Sequence, residues 1–382
     1  MNRHIDSPSV AMRLRPFALE RYFARHEFTA GRVLCASDIE CLALREVLEL
    51  ADDETRMLWD SLPLGYTQSP GHPLLRTEVA SMYEGMTGDF VLTFAGAQEA
   101  IFLTAHAVLE PGDHVVVVTP TYQSLIDIPR SIGAAVTPVP LETGSWSLDV
   151  GRLHGAVRPN TRLVVINFPH SPTGAHLPVD DFVGLATWCE SRGIYLLSDE
   201  VYRFLEGESA ARLPSAVEVG EHTITLGVLS KAFGLAGLRI GWVACRDAAI
   251  LARMSVLKDY TTICNSAPSE ILGLIALRAR EILLRRSRSI LSGNLARLDA
   301  FFARQVERVT WVRPRAGTVC FPRLVRGNAD EFADDLLTRT GVLILPGSVF
   351  DYDPAHFRVG FGRADMAESL ARFEEFLDRH LD

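Results

Sequence analysis

Lysine is almost missing from this chain. Among 382 residues there are 38 Lys and Arg, yet lysine stands only at positions 231 and 258. A basic excess is missing too: 47 Asp and Glu give a formal charge of −9, so no positive field draws in nucleic acid or anionic lipid. No window approaches the roughly 18 uncharged apolar residues of a membrane span. The opening MNRHIDSPSVAMRLRPFALERYF has no apolar core of signal-peptide length. The six cysteines (Cys35, Cys41, Cys189, Cys245, Cys264 and Cys320) have no C-x-x-C spacing, which argues against both a zinc cluster and a small disulfide scaffold. They read as reduced thiols. The expectation is a soluble cytoplasmic protein with no metal, no nucleic-acid partner and no membrane. There is no solenoid repeat, and Pro and Gly are spread without low-complexity bias.

What is present suits a globular α/β protein, with 48% hydrophobic and 22% charged residues and a length for two domains. Seven β-branched runs, at 89–95, 114–120, 134–141, 161–168, 193–201, 223–230 and 240–245, alternate with stretches of helical apolar period. That alternation predicts βαβ units: a mostly parallel central sheet with helices on both faces. The apolar runs at 114–118 and 163–166 lack polar alternation, as strands buried on both sides do. After Pro268 the pattern changes to a long Arg-lined helix or two, then short strands (RVTWVRP, GTVCFPRL, GVLILPG, HFRVGFG) and two helices, NADEFADDLLTRTG and MAESLARFEEFLDRHL. The expected organisation is an N-terminal segment 1–47 packing with a small α+β domain 285–382, beside a large α/β domain 48–284.

Four features carry candidate chemistry. Lys231, in TLGVLSKAFGLAGLRIGW, directly follows an apolar strand, and ligands of parallel α/β sheets bind at the carboxyl ends of strands. An amine walled by apolar groups there can attack a carbonyl and form a Schiff base; the alternative is a solvated loop lysine. Asp199 ends the strand GIYLLS with Tyr202 three residues on. A buried carboxylate needs a cation or several donors, unless it is a helix cap beside a core tyrosine. The run INFPHSPTGAHL leaves the sheet through a proline-stiffened turn, which is also what a plain rigid loop looks like. In TFAGAQEAIFL, Gly96 opens a helix whose free Ala97 and Gln98 N–H groups suit a phosphate. That turn does not fit G-x-G-x-x-G, and no G-K-[ST] loop occurs in the chain.

Taken in this order, the four features resemble fold type I of the pyridoxal-phosphate enzymes, class I/II aminotransferases, over nearly the whole chain. The resemblance implies pyridoxal 5′-phosphate as cofactor, α-amino acid and 2-oxo acid substrates, and a homodimer with shared active sites. It matches Lys231 to the Schiff-base lysine, Asp199 to the carboxylate that pairs with the pyridine nitrogen, and Tyr202 to the phenol on the ring's 3-oxygen. Arg239, with Gly96, Ala97, Gln98 and Ser230, falls among the cofactor-binding positions as the phosphate arginine. Tyr122 matches the aromatic that stacks on the ring, Tyr66 the tyrosine that reaches the neighbouring subunit's phosphate, and Arg358 the arginine that clamps the substrate's α-carboxylate.

Two positions depart from the family pattern. Ser171, a cofactor- and substrate-binding position in HSPTG, stands where asparagine is usual, and Val228 where a phosphate-binding Ser or Thr is usual. Such losses are worth about 1–3 kcal/mol each if nothing replaces them. The opening PFALERYFARHEFTAGRVLCASDIECLALREVL and the stretch KDYTTICNSAPSE are similar to a branch containing capreomycidine synthase, whose members perform elimination and cyclisation on arginine-derived amino acids. Transamination is the leading expectation, elimination, replacement or cyclisation the alternative, and a non-catalytic binding protein the third reading. Asp38 and Glu40 read either as contacts for a guanidinium or as surface charges. Thr261 and Thr262 are candidates for the partner's site, and His26, His72 and His170 read as structural or as lying near the site.

Overall fold

A computed structural model describes residues 14–207 and 212–380 of the chain. Residues 1–13 of the expected N-terminal segment, and Leu381 and Asp382 at the end of the last predicted helix, lie outside them. All seven predicted sheet strands form: β1 (Val91–Phe94), β2 (His114–Thr119), β3 (Ala135–Pro140), β4 (Thr161–Asn167), β5 (Tyr195–Asp199), β6 (Thr223–Val228) and β7 (Gly241–Ala244). Their order across the sheet is β1-β7-β6-β5-β4-β2-β3. The strands run parallel except β7, which is antiparallel to both β6 and β1. This is the mostly parallel sheet the alternation predicts. The two prolines of β3, Pro138 and Pro140, explain why it is the edge strand, since proline cannot donate to a further neighbour.

Alternate residues on the strands enter two different cores. Val115, Val117, Leu163 and Val165 pack on one face, and Val116, Val118, Val164 and Ile166 on the other. Both sets are buried, so the apolar runs show no polar alternation. Each such side chain contributes about 1.5–3 kcal/mol when fully removed from water. The register of this packed sheet sets Asn167 beside Asp199, and Asp199 beside Leu226, at the carboxyl ends of β4, β5 and β6.

The C-terminal part is less regular than its pattern suggests. Its long helical stretch forms as two helices, Ala267–Arg278 and Arg280–Arg304. GTVCFPRL splits into β8 (Val319–Cys320) and a separate pair formed by Arg323–Leu324. GVLILPG splits likewise, because Val342–Leu343 pairs with Arg32–Val33 while β9 (Leu345–Pro346) joins β10 (Phe357–Gly360). The Arg32–Val33 pairing ties the N-terminal segment to the C-terminal residues by two register positions. Among the described residues no helix is long and apolar enough to cross a membrane.

Candidate active site

A cleft of about 420 Å³ opens where β4, β5 and β6 end. Ten of the residues matched to cofactor or substrate line it: Ala97, Gln98, Tyr122, Ser171 and Asp199 with Tyr202, Ser230, Lys231, Arg239 and Arg358. A larger hollow of about 550 Å³ elsewhere has Glu206, Arg288, Arg313 and Arg315 as its charged lining and none of those ten.

The anion-binding end is built from backbone. Gly96 precedes the helix Ala97–Val108 at φ +90°, with no side chain capping the helix start, so the first N–H groups face the cleft unspent. A Cβ on Gly96 would run into the Arg239 guanidinium. Glycine therefore lets a cationic fork lie directly on the positive end of a helix, a place for a dianion. Arg239 itself holds φ +52° and donates to the Ala236 carbonyl at 3.2 Å.

Asp199 is 5% exposed and accepts one hydrogen bond, from the Val201 N–H at 3.2 Å. Burial pushes its carboxyl from 3.8 up to about 7; the Val201 N–H and the Lys231 charge pull it down, and Glu200 pushes it further up. A buried acid so thinly satisfied suits a cationic nitrogen arriving with a ligand. Helix-start amides, an arginine on glycine and a buried acid short of a cation together match the phosphate and ring nitrogen of pyridoxal 5′-phosphate. Lys231 Nζ donates to Ser37 Oγ at 2.7 Å and stands 5.9 Å from the Tyr202 ring centre. The other lysine is disposed differently: Lys258 is fully buried, its amine spent on the Thr93 carbonyl at 2.7 Å and on the Ser69 carbonyl.

Residues 17–40 cover the cleft's other side. Tyr122 donates to Glu20 Oε1 at 2.9 Å, and its ring lies 4.9 Å from Phe17. Burial, then the Glu20 charge, drives the Tyr122 phenol upward. Tyr202 donates to the Ser37 carbonyl at 3.1 Å. Arg358, 3% exposed, donates through Nε and Nη2 to the Cys35 carbonyl at 3.1 and 2.8 Å. Glu20, Glu27 and Asp38 also line the cleft. Burial raises the Glu27 carboxyl, and the Asp38 and Glu20 charges raise it further.

Sequence reasoning missed Ser37, Glu20, Glu27 and Asn167. Asn167 donates to the Asp199 carbonyl at 2.9 Å and accepts from the Ser171 N–H at 2.8 Å; its one signal was a polar residue ending the apolar run VVIN. Val228 is buried in the cleft wall. Asp38 is in the cleft, paired with Arg363 at 3.0 Å, whereas Glu40 accepts from the Ala364 N–H outside it. Thr261 and Thr262 both donate to Glu99 Oε1, Thr262 at 2.8 Å. Tyr66 lies outside this cleft and is 91% exposed. None of the three histidines lines the cleft. His170 is buried against Thr173, its ring held neutral with its pKa lowered to about 3 by burial.

With this geometry in place, comparison with known proteins is informative. The family model "Aminotransferase class I and II" matches residues 34–373. Capreomycidine synthase of Streptomyces vinaceus is 30% identical, over 96% of this chain and 94% of that protein. A PLP-dependent aminotransferase structure from Streptococcus suis superposes with a TM-score of 0.89 at 32% identity, covering 97% of this chain and 100% of that one. The PLP-dependent cyclase OrfR superposes at 0.88 with 30% identity, covering 97% and 99%.

Proposed function

The chain belongs to the class I and II aminotransferases, and from that premise we propose how its own residues carry out the pyridoxal 5′-phosphate-dependent transfer of an amino group between an α-amino acid and a 2-oxo acid. When bound, the cofactor supplies an aldehyde and a cationic ring that draws electrons from the substrate's α-carbon. Arg239 and the Ala97 and Gln98 amides would hold the phosphate, Tyr122 would pack on the ring and Tyr202 would donate to its oxygen. Asp199 would keep the ring nitrogen charged, a pairing that would return its carboxyl to the ionised state it resists alone. Lys231 Nζ would hold the cofactor's aldehyde at rest and, once released by the substrate's amine, would take the α-proton and pass it on, since returning it to the α-carbon would only restore the substrate. Arg358 leaves the Cys35 carbonyl for the substrate's α-carboxylate, a better acceptor for its fork.

The observation that carries this reading is Asp199: a carboxyl buried at a strand end, bonded by a single N–H, in the same cleft as the chain's one lysine amine not sealed in the core. The wall facing the substrate's side chain holds Glu20, Glu27 and Asp38, and Arg363 neutralises only the last. A cationic side chain fits that wall. A homodimer is also part of the reading, because Leu64, Tyr66, Tyr260 and Ile263 are 51–91% exposed on loops joined through Thr67 Oγ1 and the Asn265 carbonyl. Free thiols at all six cysteines support a cytoplasmic location.

A second reading, elimination or cyclisation, is favoured by the capreomycidine synthase match, which extends over nearly the whole chain, and by the similarity to the cyclase OrfR. The test is to incubate the cofactor-loaded protein with arginine, glutamate or leucine and a 2-oxo acid, and follow products by mass spectrometry. A new amino acid made from the oxo acid, fastest with arginine, is the expected result. Ammonia or a cyclic product without amino transfer would select the second reading, and no turnover of any kind would overturn both.

A further inference from the structure

The catalytic lysine is met from across the cleft by a hydroxyl that no motif marks. Ser37 Oγ accepts from Lys231 Nζ at 2.7 Å, while the Ser37 carbonyl accepts from Tyr202 at 3.1 Å and from Thr318 Oγ1 at 2.8 Å. One residue thus touches two of the groups assigned to catalysis. It is itself tightly placed. The Gly360 N–H donates to the Leu34 carbonyl at 2.7 Å and the Glu40 N–H to the Gly362 carbonyl at 2.8 Å. A Cβ on Gly360 or Gly362 would collide with the Ala36 or Asp38 carbonyl, and Arg358 holds the Cys35 carbonyl.

We propose that Ser37 is a positioning residue for Lys231, the hydroxyl that holds the ε-amine in line with the substrate's α-carbon through both of its protonation states. The proposal rests on the reading of Lys231 as the catalytic amine. A hydroxyl both donates and accepts. It accepts from the ammonium that forms when the amine takes the α-proton, and it donates to the lone pair of the neutral amine once that proton has been passed on. A backbone carbonyl accepts only, and a carboxylate would bias the amine toward its charged form. The serine gains and loses no net proton in the cycle; the proton moves from the α-carbon to Nζ and is passed on from there. The four-carbon lysine stem is flexible, so an anchor at its tip matters most when the amine is released. Asp199 and Tyr202 also lie near the amine, and neither hydrogen-bonds to it; Glu20, Glu27, Asp38, Tyr122, Arg239 and Arg358 line the same cleft.

The chain offers an uncommon readout, because its only other lysine is sealed in the core. Cofactor-free protein is treated with trace acetic anhydride at fixed pH, and acetylation of Lys231 is quantified by peptide mass spectrometry against the α-amine. In Ser37→Ala the amine loses the hydroxyl that holds its tip, so Lys231 is freer to attack and should acetylate about threefold faster. The loaded variant should lose about tenfold in kcat with KM nearly unchanged, and Ser37→Thr, which keeps the hydroxyl, should restore both. A more reactive amine in a slower enzyme is not what loss of packing produces. Unchanged labelling in Ser37→Ala overturns the proposal, as does a loss of kcat that Ser37→Thr fails to restore. Labelling is independent of turnover, so an inactive wild type would sink the functional reading while leaving the Ser37 contact measurable.

Discussion

The carboxyl ends of β4, β5 and β6 and the segment of residues 17–40 face each other across one cleft, and they are held by different means. The sheet ends inherit their positions from a ladder whose strands are buried on both faces, so Asp199 and Asn167 move only if the sheet does. The segment has a single two-residue strand pairing. It is fastened by backbone contacts at Gly360 and Gly362 and by side chains that the proposed reading assigns to the reaction: Arg358 on the Cys35 carbonyl, Tyr202 on the Ser37 carbonyl and Tyr122 on Glu20. In the proposed reading the chemistry sits on the wall made by the sheet, and the contacts to the substrate's side chain on the wall fastened residue by residue. Arg358 belongs to both arrangements, since the carbonyl that holds it in the absence of substrate is on the segment.

The contrast predicts effects of decreasing size. On the wall made by the sheet, Asp199→Asn should cut turnover about 10³-fold while stabilising the cofactor-free protein. The folded acid keeps its proton up to about pH 7 and the unfolded one loses it near 3.8. Between those values the folded state binds more protons, so parent stability falls as pH rises. The variant should then unfold later than the parent at pH 8, by about 1–4 kcal/mol, with the gap closing toward pH 4; a gap of the opposite sign would mean that Asp199 is satisfied without the cofactor. On the fastened wall, Gly360→Ala forces a methyl against the Ala36 carbonyl. It should cost about 1–3 kcal/mol in chemical unfolding and slow turnover more than Ser37→Ala does, because it shifts residues 34–38 together. Full activity in that variant would break the distinction between the two walls. The smallest effect is Glu27→Gln, which should raise KM for an amino acid with a cationic side chain by about three- to tenfold and leave that for leucine unchanged. Equal changes for both substrates would remove the acidic wall from recognition.

How far each wall could be read from the chain follows from the same contrast. Strands buried on both faces tend to be apolar throughout, so β2 and β4 announced themselves, the alternation of runs located β6, and the residues at their ends, Lys231 above all, could be placed from the sequence. Near Leu343 and Leu345 the prediction of one continuous strand failed, because the backbone changes partners after two residues and composition does not record partners. Ser37 carries no pattern at all. Its role comes from Gly360 and Arg358, more than 300 positions away, and such a contact is invisible to any local spacing rule. Asp38 and Glu40 looked alike in sequence, yet one lines the cleft and the other caps a turn at Ala364, a difference set by which way two neighbouring carboxylates leave the same segment.

The most direct test is to load the protein with pyridoxal 5′-phosphate, reduce it with borohydride and map the modified peptide. The account predicts a pyridoxyl group on Lys231 and none on Lys258. A label on Lys258, or a protein that takes up no cofactor, would contradict it.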